Sequence, residues 1–181
     1  MTTATAKSYV KGHMREALAN HVLEVLCDAE RVKAFRMRRP EGGSFYLVDI
    51  VFIPTGIGIA GDITLDHNGA WSREAKDLAW FRTEHSEDYL CSKFLPKVWV
   101  PEICAQVIRE WASDADCEHR EALYEIAKGI IDGELDRSDA YRDLSEIGYG
   151  DDGIPGYDYD PGDAGWLCAI QQRFRELMNS P

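Results

Sequence analysis

The chain lacks paired cysteine motifs. Its five cysteines, Cys27, Cys91, Cys104, Cys117 and Cys168, are odd in number, widely spaced and form no CxxC. That argues against a zinc ribbon and against the disulfide framework of small secreted domains. The expectation is free, mostly buried thiols in a reducing cytosol. No apolar run approaches the roughly 20 residues that cross a bilayer. The opening MTTATAKSYVKGHMREALANH has no hydrophobic segment of the secretory kind. Hydrolase and nucleotide signatures are missing too: there is no GxSxG and no P-loop. The glycine-rich GIGIAGD lies within a hairpin strand rather than between a strand and a helix, which rejects it as a phosphate loop. The five histidines, His13, His21, His67, His85 and His119, form no HxxxH, HExxH or His-x-His. Cys117-x-His119 and His85-x-x-Asp88 are ligand-capable pairs, each without a second pair in register. No cofactor is expected.

What is present suits a packed core: 45% of the 181 residues are hydrophobic and 10% aromatic. A length of 181 residues fits a single domain, with residues 1–70 forming a helix plus sheet and 71–181 a helical part. The net charge is −12, and its location is the informative point. From Asp114 to Asp163 there are 16 acidic and 4 basic residues, while the remainder holds 16 of each. An acidic face repels nucleic acid and acidic membranes, and attracts the basic grooves that bind nucleic acid.

The pattern reads as α+β. Val10, Met14, Leu18, Val22 and Val25 fall at helical spacing and suggest a helix over 6–26, although HVLEVL also suits a strand. RVKAFRMRR, SFYLVDIVFI and IGIAGDITL read as a three-stranded antiparallel meander joined by short glycine-containing turns. SFYLVDIVFI is apolar on both faces except at Asp49, as a central strand would be. From Ser72 onward the chain reads as helices. Ser72, Ser86, Ser138 and Asp163 are candidate caps, Pro101 suits a first helical position, and a loop spans 148–165. Strands followed by helices define an α+β domain.

Each chemical candidate has a structural counterpart. Asp49 needs a partner if it lies inside, and Arg36 or Arg38 is the natural one. Gly61 in a strand marks a bulge or a close backbone approach. Asp62, Asp66 and His67 then form a candidate carboxylate and histidine group near a turn, or a plain solvated turn. Asp151, Asp152, Asp158, Asp160 and Asp163 concentrate oxygen ligands without the spacing of a calcium loop. The basic run Arg31, Lys33, Arg36, Arg38, Arg39 suits either an acidic partner or a charged edge strand that resists aggregation.

LANHVLEVL, RVKAFRMRRP, FYLVDIVFIPTGIGIAGDITL, DLAWF with SEDYLCSKF, and WLCAIQQ together resemble a family of uncharacterised bacteriophage and prophage accessory proteins. The strand leading into Gly61-Asp62 is the most specific part of that resemblance. The resemblance implies no catalytic residue. It implies a setting in the host bacterial cytosol, where small acidic phage proteins block defence machinery, anti-CRISPR proteins among them. The expected function is therefore inhibition of a defence effector by protein–protein binding, with an acidic surface standing in for nucleic acid. The expected contact residues are Asp132, Glu134, Asp136, Asp139, Asp143, Glu146, Asp151, Asp152, Asp158 and Asp160. The expected partner is a host protein with a basic groove, such as a CRISPR effector, with no direct nucleic-acid or membrane contact. The alternatives are a metal-dependent hydrolase or nuclease using Asp49, Asp62, Asp66 and His67, or a purely structural accessory protein.

Overall fold

A computed structural model describes residues 12–62, 70–72, 77–150 and 153–180. In chain order the elements are α1 (Gly12–Leu18), β1 (Val22–Asp28), β2 (Lys33–Arg38), β3 (Val48–Ile53), β4 (Gly56–Gly61), β5 (Ala70–Ser72), α2 (Leu78–Phe81) and α3 (Glu87–Phe94). They continue with β6 (Val98–Trp99), α4 (Pro101–Asp114), α5 (Cys117–Ile131), α6 (Arg137–Glu146), β7 (Tyr157–Asp158) and α7 (Pro161–Asn179). The fold is α+β, with the strands in the first part and most helices after them.

The chain forms two compact units. One contains residues 1–96 and 161–181, and the other is Lys97–Asp160. The second is therefore an insertion in the first.

The host unit is built on an antiparallel sheet in the order β1-β2-β3-β4-β5. β3 is its middle strand, as its apolar run suggests, and its residues alternate between buried and half-buried. Phe35, Ile50 and Ile59 stand in one cross-strand row, and Lys33, Phe52 and Ile57 in another. All of these except Lys33 are buried. The opposite face is polar: Glu24, Arg36, Asp49 and Ala60 share a row. Arg36 donates to both Asp49 oxygens at 2.7 Å, and Arg38 reaches Glu24 at 2.9 Å. Alternate side chains thus separate a core face from a wet face.

α7 covers the core face. Its Phe174 ring lies 5.3 Å from Phe35, 6.0 Å from Phe52 and 5.5 Å from Phe81. Gln171 on the same helix is buried and donates to the carbonyls of Phe81 and Thr83, both at 2.8 Å. The helix is thereby held both by ring packing and by a buried amide that pairs two backbone carbonyls at the end of α2.

The inserted unit has its own core. Cys104, Ala105, Ile108 and Ala112 of α4 meet Leu123, Ile126, Ala127 and Ile130 of α5, with Ala140 and Leu144 of α6 closing it. At its neck, β6 pairs antiparallel with β7, Val98 opposite Asp158 and Trp99 opposite Tyr157. Gly156 is required there. Its φ is +94°, and a Cβ would come within 2.7 Å of the Cys104 backbone.

Several sequence expectations change. The first helix ends at Leu18, and HVLEVL supplies most of β1, which none of its seven residues buries. The meander has five strands rather than three, with β1 and β5 flanking the expected ones. The basic run lies mainly on β2, an interior strand, so it is not an edge device. Ser72 ends β5, and Asp77 caps α2 in its place. Asp136, two residues before Ser138, caps α6. The loop expected at 148–165 contains β7 and the first turns of α7, so Asp163 lies inside that helix rather than at its cap. Ser86 and Pro101 occupy the expected cap and first-turn positions. The start of the expected first helix, Ile63 to Leu65 of the third expected strand, and the following turn lie outside the described residues. Among the described residues no helix is long and apolar enough to cross a membrane.

His21, between α1 and β1, is buried. Its Nε2–H donates to the Tyr46 carbonyl at 3.0 Å, which leaves Nδ1 as a bare acceptor without a partner among the described residues. Burial lowers its pKa from 6.5 and outweighs the hydrogen bond to Tyr46, with Arg39 and Arg173 adding to the lowering. The unfolded chain therefore binds this proton more readily than the folded one. The contribution is complete above pH 6.5 and is lost as pH falls from 6.5 towards the lowered folded value. Urea midpoints should fall between pH 7.5 and pH 5, and His21→Gln should show a smaller fall over that interval. A second outcome concerns the aromatic core: Phe174→Ala should cost about 3–5 kcal/mol in urea unfolding.

Candidate functional site: the acidic inserted unit

The charge follows the unit boundary. Residues 97–160 carry 17 acidic and 6 basic residues, a net −11, while the host unit has 15 and 14. The sequence count set the boundary at Asp114. The structure moves it back to Lys97, because α4 shares one core with α5 and brings Glu102 and Glu110 with it.

The acids lie on the outward faces of the helices. On α5, Leu123, Ile126 and Ile130 face the core, and Glu121, Glu125 and Lys128 fall on the opposite stripe. On α6, Ala140 and Leu144 are buried, and Asp139, Asp143 and Glu146 share a flank with Arg142. These helices owe their starts to other acids. Asp116 caps α5, accepting from the His119 backbone N–H at 3.0 Å. Asp136 caps α6, accepting from Ser138 and Asp139 at 2.7 and 2.9 Å.

The ten expected contact residues therefore divide. Asp136 holds a helix terminus. Asp139 and Asp143 bracket Arg142 at 2.8 and 3.0 Å, and Asp143 first, then Asp139, holds that guanidinium above its ordinary pKa. Asp158 accepts from the Tyr159 N–H at 2.9 Å, and Asp160 is half-buried. Asp151 and Asp152 lie outside the described residues. Asp132, Glu134 and Glu146 are exposed and make no side-chain hydrogen bond or ion pair among the described residues. Glu121 and Glu125 have the same standing and were not singled out from sequence, although their four-residue spacing opposite Leu123 and Ile126 is readable there.

Sequence reasoning also missed an aromatic groove. It has a volume of about 640 Å³ and is lined by Arg137, Ser138 and Tyr141 of α6 and by Gly153, Ile154 and Tyr157. Tyr141 is 48% exposed and Tyr157 is 40% exposed. The Arg137 guanidinium sits 5.0 Å from the Tyr157 ring centroid. Tyrosine and arginine on an open surface are the residue types that dominate binding energy in protein interfaces.

The residues of the hydrolase alternative do not converge in the described part. Asp49 is held by Arg36, the cross-strand partner its position requires. Gly61 meets its expected close approach: a Cβ there would lie 2.0 Å from the Leu47 carbonyl oxygen, which accepts from Asp62 N–H at 2.9 Å. The Asp62 side chain is exposed at the strand end. Asp66 and His67 lie outside the described residues. Among the described residues, no group of three or more His, Cys, Asp and Glu could hold a metal ion. The basic run is largely engaged within the sheet, Lys33 with Asp28, Arg36 with Asp49 and Arg38 with Glu24, and Arg39 lies over the Phe45 and Tyr46 rings.

The chain is thus an α+β protein with an acidic helical insertion. No protein-family model, curated protein or solved structure matches it.

The division of the acids has a measurable consequence. Asp136→Ala should cost about 1 kcal/mol in urea unfolding through loss of the cap. Glu121→Gln and Glu146→Gln should stay within about 0.5 kcal/mol of the parent.

Proposed function

We propose that the inserted unit is a protein-recognition surface that competes with nucleic acid for a basic groove on its partner. The observation carrying this reading is the partition of charge: a unit of net −11 inserted in a host unit of net −1. A solubility role would not require the surplus to sit in one compact unit. Exposed carboxylates at Glu121, Glu125, Asp132, Glu134 and Glu146 offer negative charge that no internal cation offsets by direct contact. Such charge raises encounter rates with a basic surface and loses reach beyond about 8 Å at physiological salt. The Tyr141 and Tyr157 groove supplies apolar contact area, which long-range charge cannot.

The setting comes from the resemblance to phage accessory proteins. It points to the host bacterial cytosol and to a defence effector as the partner, with a CRISPR complex as the first to test. The action is steric and electrostatic occupation of a nucleic-acid groove and requires no chemical step by this chain.

The test is displacement of DNA from purified guide-loaded effector complexes, read by gel shift, with association rates measured at two salt concentrations. The variant carries Glu121→Lys, Glu125→Lys, Asp132→Lys, Glu134→Lys and Glu146→Lys, and leaves both helix caps intact. Five reversals at roughly 0.5 kcal/mol each should weaken competition by about 100-fold and flatten the salt dependence. Equal displacement by parent and variant would sink the reading.

A further inference from the structure

The sulfurs of Cys91 and Cys168 lie 4.0 Å apart in the host unit. Cys91 is on the inward side of α3 beside Leu90 and Phe94, and Cys168 is on the inward side of α7 beside Leu167 and Ile170. The other three thiols are placed differently. Cys104 is buried in the inserted unit, Cys27 is half-buried on β1, and Cys117 is exposed at the start of α5. One pair of the five is therefore in contact.

That pair also has a route to solvent. A cleft of about 670 Å³ opens between the 84–90 segment and α7, and Cys168 forms part of its wall with Arg15, Ser86, Gln171 and Arg175. Cys91 does not line it and is fully buried, while Cys168 keeps 5% exposure. A small oxidant entering the cleft reaches Cys168 first and finds Cys91 behind it. A sulfur in the wall of an open cleft, backed by a second thiol, is the arrangement of a peroxidatic and a resolving cysteine.

We propose that Cys91 and Cys168 are a disulfide-forming pair, oxidised by hydrogen peroxide or a small organic hydroperoxide into a reversible cross-link between α3 and α7. The sulfur of Cys168 attacks the peroxide, an S–O bond forms and the O–O bond breaks, giving a sulfenic acid and releasing water from hydrogen peroxide or the alcohol from an organic hydroperoxide. The sulfur of Cys91 then attacks the Cys168 sulfur, the S–O bond breaks, and the Cys91 proton leaves with the hydroxyl as water. Two thiols are oxidised by two electrons and one peroxide is reduced. The sulfurs must close by about 2 Å to reach bonding distance.

The Cys91 thiol is pushed far above the usual thiol range by its neighbour Cys168, by burial, and by Asp88 and Glu87. Cross-linking should therefore speed up as pH rises, since the attacking species is the thiolate. The two cysteines bracket the insertion, Cys91 just before Lys97 and Cys168 just after Asp160. The bond would close a long loop of chain that includes the insertion, which raises stability by restricting the unfolded chain.

The test uses the full chain with Cys27→Ser and Cys117→Ser, which silences the two thiols nearest solvent. Treatment with hydrogen peroxide should remove two hydrogens from the intact mass, join the Cys91 and Cys168 peptides in a non-reducing digest, and raise Tm by about 5–10 °C. Dithiothreitol should reverse all three. Adding Cys91→Ala should stop the reaction at the sulfenic acid, which dimedone traps on Cys168. Retention of all three remaining thiols under peroxide, or a linked peptide containing Cys104, would overturn the proposal.

Discussion

The host unit depends on α7 reaching the sheet. Phe174 fills the space between Phe35 on β2, Phe52 on β3 and Phe81 at the end of α2. A sheet with one face this apolar is unstable without a cover. The cover comes from the far end of the sequence, so residues 97–160 must leave the host unit and return to it. The return constrains the inserted unit: its two ends must be close together. The β6–β7 pair satisfies that requirement, and the Gly156 carbonyl accepting from Val100 N–H at 2.9 Å strengthens it. Three helices can then close a core of their own without drawing on the sheet.

This arrangement explains why charge can be partitioned so sharply. A domain core needs a fixed amount of buried apolar surface, but its solvent face is free to carry any charge that does not unfold it. The inserted unit spends some of its acids on its own order, through the caps at Asp116 and Asp136 and the Asp139–Arg142–Asp143 cluster. The remaining exposed carboxylates are held in place by the α4–α5–α6 core and are not needed for it. The host unit balances its charges within the sheet, where Glu24, Arg36, Arg38 and Asp49 face one another across three strands.

Much of the host fold was legible because local pattern and tertiary environment agree. SFYLVDIVFI reads as a central strand, and its second part, Val48–Ile53, is one, whereas Ser44–Leu47 turns before it. Asp49 called for an arginine on the neighbouring strand and has Arg36. Ser86 and Pro101 mark helix starts by local chemistry alone. Legibility failed where one stretch satisfies two periods. HVLEVL fits helical and extended spacing equally, and the choice falls to pairing with β2, which is not a local property. Ser138 and Asp136 are both good caps two residues apart, and Ser72 lost to Asp77 because β5 claims it. The inserted unit was half legible. Counting charge found its acidic core but not α4, since α4 joins the unit through Cys104, Ala105 and Ile108 rather than through its charge. The groove at Tyr141 and Tyr157 depends on the chain turning back along α6, and no local signal announces that.

Under the proposed function, recognition resides in the inserted unit, and the sheet and its cover fold in the host unit. The most direct measurement replaces residues 97–160 with a short glycine–serine linker and follows both far-UV circular dichroism and effector binding. The expected product is a cooperatively folding sheet protein of nearly neutral charge that no longer binds the effector or displaces DNA. A linker variant that binds as well as the full chain, or that fails to fold at all, would contradict it.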